Sequence, residues 1–268
     1  MDQRLLVATL VLGLAAAAYP SLGSAPAGPQ VRAFTFEVTA FSCPFDDGVC
    51  LAYNAVVPGP LIDANLGDTL VITLVNRIAA TLPEGAPGHL ATVDVSWHVH
   101  GTAVPANMDG VSAHEGTQLI ESVAKPGGSF TYTTRAAFAG TWHYHDHVIG
   151  LDGDEGGHRG LYGSLVVRNG AEPVPDTVLD LHMLDDGANG GRGLNAAVAA
   201  GSSFDLVVVG LENILWQVTL TDPSNAIVGT VEAAPGISER IHVDNAVAGT
   251  YSWRATGFGT KTGQVVVS

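Results

Sequence analysis

Trp97-His98-Val99-His100-Gly101 and Trp142-His143-Tyr144-His145-Asp146-His147 place five imidazoles in two His-x-His strings about forty residues apart. Side chains alternate across a strand, so residues two apart share a face. In extended segments His98 and His100 therefore point the same way, as do His143, His145 and His147. Neutral imidazole is the commonest metal ligand and suits copper, zinc, iron and nickel. Two such pairs on neighbouring strands surround an ion with four nitrogens. A lone histidine reads more simply as a solvated or core-capping group, whereas two His-x-His strings in one chain favour a metal. Cu(II) outcompetes other divalent ions for such a nitrogen site. Zinc is the alternative, since three histidines with an open position lower the pKa of a bound water to about 7 and support hydrolysis.

Strands must position these rings, and the chain reads as a succession of strands. Gly supplies 33 of the 268 residues, and long amphipathic helical patterns are absent. Short runs of Val, Thr, Leu and Ile separated by Gly, Pro, Asn and Asp predict an all-β sandwich or barrel. The first set of expected strands is 31–39, 69–74, 92–98, 129–134, 141–147 and 161–167. The second is 177–182, 204–209, 215–221, 229–232, 240–243, 249–254 and 264–267. Between them, 169–176 (Asn-Gly-Ala-Glu-Pro-Val-Pro-Asp) reads as a linker. Each half ends on a Gly-Thr strand, from Gly140 and from Gly249, followed by a last apolar strand, which points to duplication of one sandwich unit. The histidines are not duplicated. Eight of the ten lie between His89 and His158, and only His182 and His242 fall in the second half, so the chemistry is assigned to the first domain, 31–168, and none to the second, 177–268.

Acidic residues number 26 against 11 basic, a formal net charge of −15. No basic stripe is visible, which argues against a nucleic-acid partner. Residues 1–27 resemble a secretory signal: Arg4, an apolar run from Leu5 to Ala18, then Ala25-Pro26-Ala27. That run is too short to span a bilayer comfortably, so no membrane span is expected after its removal. The protein is therefore expected to be exported, periplasmic or extracellular. In that oxidising setting Cys43 and Cys50 are expected to close a small disulfide loop contributing about 2–3 kcal/mol; a thiolate metal pair is the alternative.

Tyr53-Asn54-Ala55-Val56-Val57-Pro58-Gly59-Pro60, Gly67-Asp68 and Trp97-His98-Val99-His100-Gly101 resemble the first cupredoxin domain of multicopper oxidases. Gly140-Thr141-Trp142-His143-Tyr144-His145-Asp146-His147-Val148 and Gly160–Val167 extend the resemblance, which is nearest to the two-domain, small-laccase type. It implies two cupredoxin-like Greek-key β-sandwich domains and copper as cofactor. It further implies His98 at a type 2 copper and His100, His143 and His145 at a type 3 pair. His147, from its place in the same string, reads as a fifth ligand or a supporting group. Asp109 falls where such proteins carry a carboxylate able to relay protons, although an Asp-Gly turn accounts for it equally well. Half of the family's cluster ligands come from another domain, often across a trimer interface, so a homotrimer or a partner cupredoxin subunit is implied.

The second half departs from the family. Tyr251-Ser252-Trp253-Arg254 stands where a His-Cys-His strand is expected, and residues near Leu215–Leu220 replace the earlier pair. Blue copper needs a thiolate with two imidazoles, and no cysteine follows Cys50. The reading is an exported four-histidine copper protein without a blue centre. The alternatives are a laccase-like oxidoreductase completed by a partner and a zinc hydrolase. A cupin is the rival fold. Asp146 is expected to face away from the rings. His89 is expected at the surface, His114 and His158 at the surface or, as the alternative, in loops folded over the site, and Asp152–Glu155 as a solvated acidic turn.

Overall fold

A computed structural model of the chain describes residues 18–20, 28–43, 48–115, 118–148, 155–184, 187–191, 193–211 and 213–268. Strands dominate, arranged as two cupredoxin-like β-sandwiches. In the first, one sheet runs in the order Val49–Tyr53, Val31–Ser42, Thr69–Asn76, Ser129–Arg135. The facing sheet runs Ile62–Asn65, Tyr162–Arg168, Gly140–His145, His98–Val99. Alternation explains the outer sheet: Thr69–Asn76 sends Leu70, Ile72 and Leu74 inward, onto Trp97, Tyr132 and Tyr144.

The second sandwich repeats the pairing scheme. Val31–Ser42 runs parallel to Thr69–Asn76, as Thr177–Leu184 does to Phe204–Gly210. Ile62–Asn65 runs parallel to Tyr162–Arg168, as Asn195–Val198 does to Gly259–Val267. A separate core forms around Trp216, Trp253, Phe204 and Leu206.

Tyr162–Arg168, Phe204–Gly210 and, apart from its first residue, Thr177–Leu184 are buried on both faces. Their near-continuous apolar sequences follow from that double coverage. The inner sheets of the two sandwiches pack together, with Val166 against Val178, Val207 and Val209. Further along the same contact, buried Arg168 donates to both oxygens of Asp63 at 2.9 and 3.1 Å and to Asp205 of the second sandwich at 3.3 Å.

Two expected strands differ. Residues 92–98 are not a continuous strand: Gly88–Thr92 is a 3-10 helix, Val95 makes a single antiparallel bridge with Ala124, and a strand begins only at His98. Asn76, whose side chain donates to the carbonyls of Val93 and Ala124, holds the intervening segment without a ladder. The 141–147 strand ends at His145, because the Asp146 carboxylate caps the turn that follows by accepting from Val148 N–H at 3.2 Å. Cys43 and Cys50 form a disulfide. Of the leader-like residues 1–27, only Ala18–Pro20 is described, paired antiparallel with Thr177–Leu179; the rest lies outside the described residues, as do Asp152-Gly153-Asp154. Among the described residues no helix is long and apolar enough to cross a membrane.

Candidate metal centre

The ladder register sets the site. His98 pairs with His145, and His145 with Tyr162. His100 N–H donates to the His143 carbonyl at 2.9 Å, and His143 pairs with Ser164. Paired residues share a sheet face, so His98, His145 and Tyr162 make one row and His100, His143 and Ser164 the next. That face is the one turned toward the second sandwich.

One nitrogen from each of His98, His100 and His145 lies within 4.8 Å of the others, a spacing that can hold an ion. His143 stacks on His100 with ring centroids 4.0 Å apart. His147, beyond the strand end, sits 4.9 Å from His98 and 5.4 Å from His145 by centroid. The rings expected to meet from the two strings are therefore together. His143 stands outside the tight trio, and its buried Nδ1 has no hydrogen-bond partner.

Carbonyl oxygens set two tautomers. His98 Nδ1 donates to the Asp109 carbonyl at 2.6 Å, and His145 Nδ1 donates to the Asp146 carbonyl at 2.8 Å. A carbonyl only accepts, so Nδ1 carries the proton and Nε2 keeps its lone pair for a metal. Burial, then the neighbouring His98 and His147, push His100 down to about 4. Burial, then His98, His100 and His147, push His145 down to about 3. His143 falls well below its ordinary value through burial, then His100, His145, His182 and His98. Burial also lowers His98, against the opposing pull of Asp109. Neutral, converging, lone-pair-bearing imidazoles are the state a borderline-soft cation requires.

Supporting residues escape pattern reading. Asp146 is fully buried and faces away from the rings. It accepts from Ser96 N–H at 2.7 Å and Ser96 Oγ at 3.3 Å, tying the segment before His98 to the end of the His145 strand. Ser96 Oγ also accepts from His147 N–H. Gly101 adopts φ +73°, and a Cβ there would run into the Trp142 ring, so the turn after His100 has no room for a side chain. Asp109 contributes its carbonyl; its carboxylate lies 3.5 Å from His98 Nδ1.

The rings line a cavity of about 270 Å³ that also includes His158, Leu184, Leu211, Asn213 and Pro235. Half-buried His158, at the end of the short Glu155–His158 helix, lines this cavity, which is the alternative of a segment folded over the site and not the surface placement. His89 is exposed as expected, and the side chain of His114 lies outside the described residues. The second sandwich, expected to stand apart from the chemistry, supplies one wall. In its own equivalent strands, Thr219 falls within the Leu215–Leu220 stretch expected to replace the first pair, and Thr221 lies one residue beyond it. Thr219 and Leu220 pair with Arg254 and Trp253, as His98 and Val99 pair with His145 and Tyr144. Thr219, Thr221, Ser252 and Arg254 thus replace the four imidazoles, and they line an open groove of about 700 Å³.

A family model described as multicopper oxidase matches residues 37–172. The chain belongs to the multicopper oxidase family. Over 140 residues this multicopper oxidase chain is 36% identical to Multicopper oxidase MmcO of Mycobacterium tuberculosis, covering 52% of the chain and 23% of that protein. Over 150 residues it is 31% identical to L-ascorbate oxidase of Cucurbita maxima, covering 55% and 22%. A copper resistance protein A homolog of Pseudomonas syringae pv. tomato is 33% identical over 141 residues, covering 52% and 20%. The matches thus span about a fifth to a quarter of these relatives' lengths. A solved multicopper oxidase superposes with a TM-score of 0.63 at 21% identity, covering 89% of each chain. Blue Copper Oxidase from Nitrosomonas europaea gives 0.57 at 17%, covering 89% and 86%. These likenesses establish the fold, and the family's cofactor is copper.

Proposed function

We propose that the chain is an exported copper-binding protein in which His98, His100, His143 and His145 hold copper, with His147 as an adjoining donor and no blue copper centre. The observation that carries this is the convergence of His98, His100 and His145 nitrogens within 4.8 Å. The donor set fits: it is all imidazole, the Asp109 and Asp146 carbonyls set the tautomers of His98 and His145, and buried His143 stacks on His100 beside the trio. Copper bound there supplies one-electron redox chemistry and Lewis acidity. This chain's own residues do the rest. The Nδ1–H bonds orient two rings, Leu184, Leu211 and Pro235 exclude water from one wall, and the Asp109 carboxylate is the group placed to pass a proton beside His98. Both cysteines are tied up in the Cys43–Cys50 disulfide, leaving no thiolate for a blue site. That disulfide also suits an oxidising compartment, periplasmic or extracellular. We assign 31–168 and 177–268 as two domains joined by 169–176, with 1–27 as a secretory leader.

A second reading is a laccase-like oxidoreductase whose remaining ligands come from a partner cupredoxin subunit or a homotrimer. It is favoured by matches, over 54% and 55% of the chain, to proteins named laccase and L-ascorbate oxidase. Elemental analysis of protein produced with copper and zinc at equal supply, with oxygen uptake measured alongside, separates the readings. Copper retained without oxygen consumption on phenolic donors supports the first, and copper with oxygen consumption the second. Zinc in place of copper contradicts both.

A further inference from the structure

The cluster face does not end at the imidazoles. Along its two rows the next residues are Tyr162 and Ser164, and His182 of the second sandwich contacts both. The His182 ring packs on Tyr162 at a centroid distance of 4.8 Å. Ser164 Oγ donates to Asp180 Oδ1 at 2.6 Å. Having given its only hydrogen to the carboxylate, Ser164 accepts from His182 Nε2 at 3.1 Å. His182 Nε2 also lies 3.0 Å from Asp180 Oδ1. Exposure is 0% at Ser164 and His182 and 1% at Asp180. The pair is braced from behind: Asn189 Oδ1 accepts from His182 N–H at 2.7 Å, and Asn189 Nδ2 donates to the Asp180 carbonyl at 3.2 Å. This is a built polar site in an interface that is otherwise apolar at Val166, Val178 and Val207.

Among the described residues, the buried polar atoms here without hydrogen-bond partners include His143 Nδ1, His182 Nδ1 and Asp180 Oδ2. Burying such groups unpaired is unfavourable, so their retention together calls for a reason. Their roles are complementary. His182 donates through Nε2, so its Nδ1 is an acceptor, and Asp180 Oδ2 is an acceptor. His143 is the one member of the quartet that is both fully enclosed and without a hydrogen bond to fix its tautomer, where His98 and His145 have carbonyls. A metal-ligating histidine ordinarily donates its other N–H to a carboxylate, carbonyl or water.

We propose that Asp180 and His182, tied through Ser164, are positioning residues for His143, so that the second sandwich tunes the metal site without supplying a ligand to it. The second domain retains these polar groups although its own cluster positions are Thr219, Thr221, Ser252 and Arg254. The proposal rests on the copper reading above.

The test uses the full chain loaded with Cu(II), with affinity measured by chelator competition and geometry by electron paramagnetic resonance at saturating copper. Ser164→Ala and His182→Ala are expected to weaken copper about 10–100-fold and to shift the copper hyperfine splitting. His182→Gln, which keeps a donor toward Ser164, is expected to restore most of both. His242→Ala, in the same sandwich but facing Asp205, should leave both unchanged. Unchanged affinity and spectrum in Ser164→Ala and His182→Ala, with His98→Ala still abolishing binding, overturn the positioning role alone. Failure of the unsubstituted chain to bind copper overturns the copper reading and this proposal together. Circular dichroism of the metal-free variants identifies any that misfold. Ser164→Ala, which removes one hydroxyl, then decides between the outcomes.

Discussion

His145 faces three ways at once: its Nδ1 is committed to the Asp146 carbonyl, its ring abuts His98, His100, His143 and His147, and burial keeps it neutral. Replacing His98 or His145 with Ala should therefore lower copper affinity by at least about 100-fold, more than loss of any supporting hydrogen bond; chelator competition measures it. Protonation has a predictable sign in the metal-free chain. The folded values of His100 and His145, about 4 and about 3, lie below the unfolded value of about 6.5. The unfolded state takes up protons first, so stability is intact above about pH 6.5 and declines as pH falls through that value toward 4 and 3. Urea midpoints at pH 7 and pH 5 should show the fall, and His145→Gln should reduce it. His242 acts oppositely: burial lowers it, but hydrogen bonds to Asp205 and Asp244 prevail and raise it. Its contribution is present below the unfolded value and lost as pH rises through the folded one. The His-x-His rings were legible because alternation fixes which side chains share a face whatever the surroundings. Asp146 and Ser96 were not legible as a clamp, since their bond spans fifty residues and depends on a turn that no local pattern encodes.

At the scale of elements, the cluster depends on the strand end at His145 and the short pairing at His98–Val99. So brief a ladder cannot hold its own register, and the Asp146–Ser96 bonds supply what it lacks. Hydrogen bonds to a charged acceptor contribute about 1.5–3 kcal/mol each. Asp146→Ala should accordingly cost about 3 kcal/mol in denaturant unfolding and weaken copper binding as well, whereas loss of stability with unchanged affinity would show that the clamp serves the fold alone. The register of Trp216–Thr221 shows where pattern reading stops. Which residue of the Leu215–Leu220 stretch occupies the His98 position is fixed as Thr219 by cross-strand pairing with Gly249–Gly257. Residues 92–98 look like a strand because Val93, Val95 and Trp97 alternate correctly, although a 3-10 turn precedes them and Asn76 satisfies Val93 in place of a ladder.

For the whole molecule, the two sandwiches are joined by buried charge as well as by Val166 and its neighbours. Arg168 serves Asp63 in one sandwich and Asp205 in the other. Removing it leaves buried Asp63 without its partner and Asp205 with only His242 and Arg240, so Arg168→Ala should destabilise by about 3–5 kcal/mol. Arg168→Lys should not rescue it, because one ammonium cannot reproduce the fork that meets both partners. Calorimetry tests this, and separation of one thermal transition into two is the expected form of the loss. The duplicated architecture was legible from the recurring Gly-Thr strands. The use of the second sandwich as a wall of the ring cavity was not, because interface residues such as Leu184 and Pro235 look like any other apolar positions.

The most direct test of the central claim is electron paramagnetic resonance of the full chain after Cu(II) loading and desalting. The account predicts retained copper with nitrogen hyperfine structure and no intense thiolate-to-copper colour, with both copper and signal lost in the His98→Ala/His145→Ala double variant. Copper that fails to survive desalting, or a signal that persists unchanged in that variant, would contradict it.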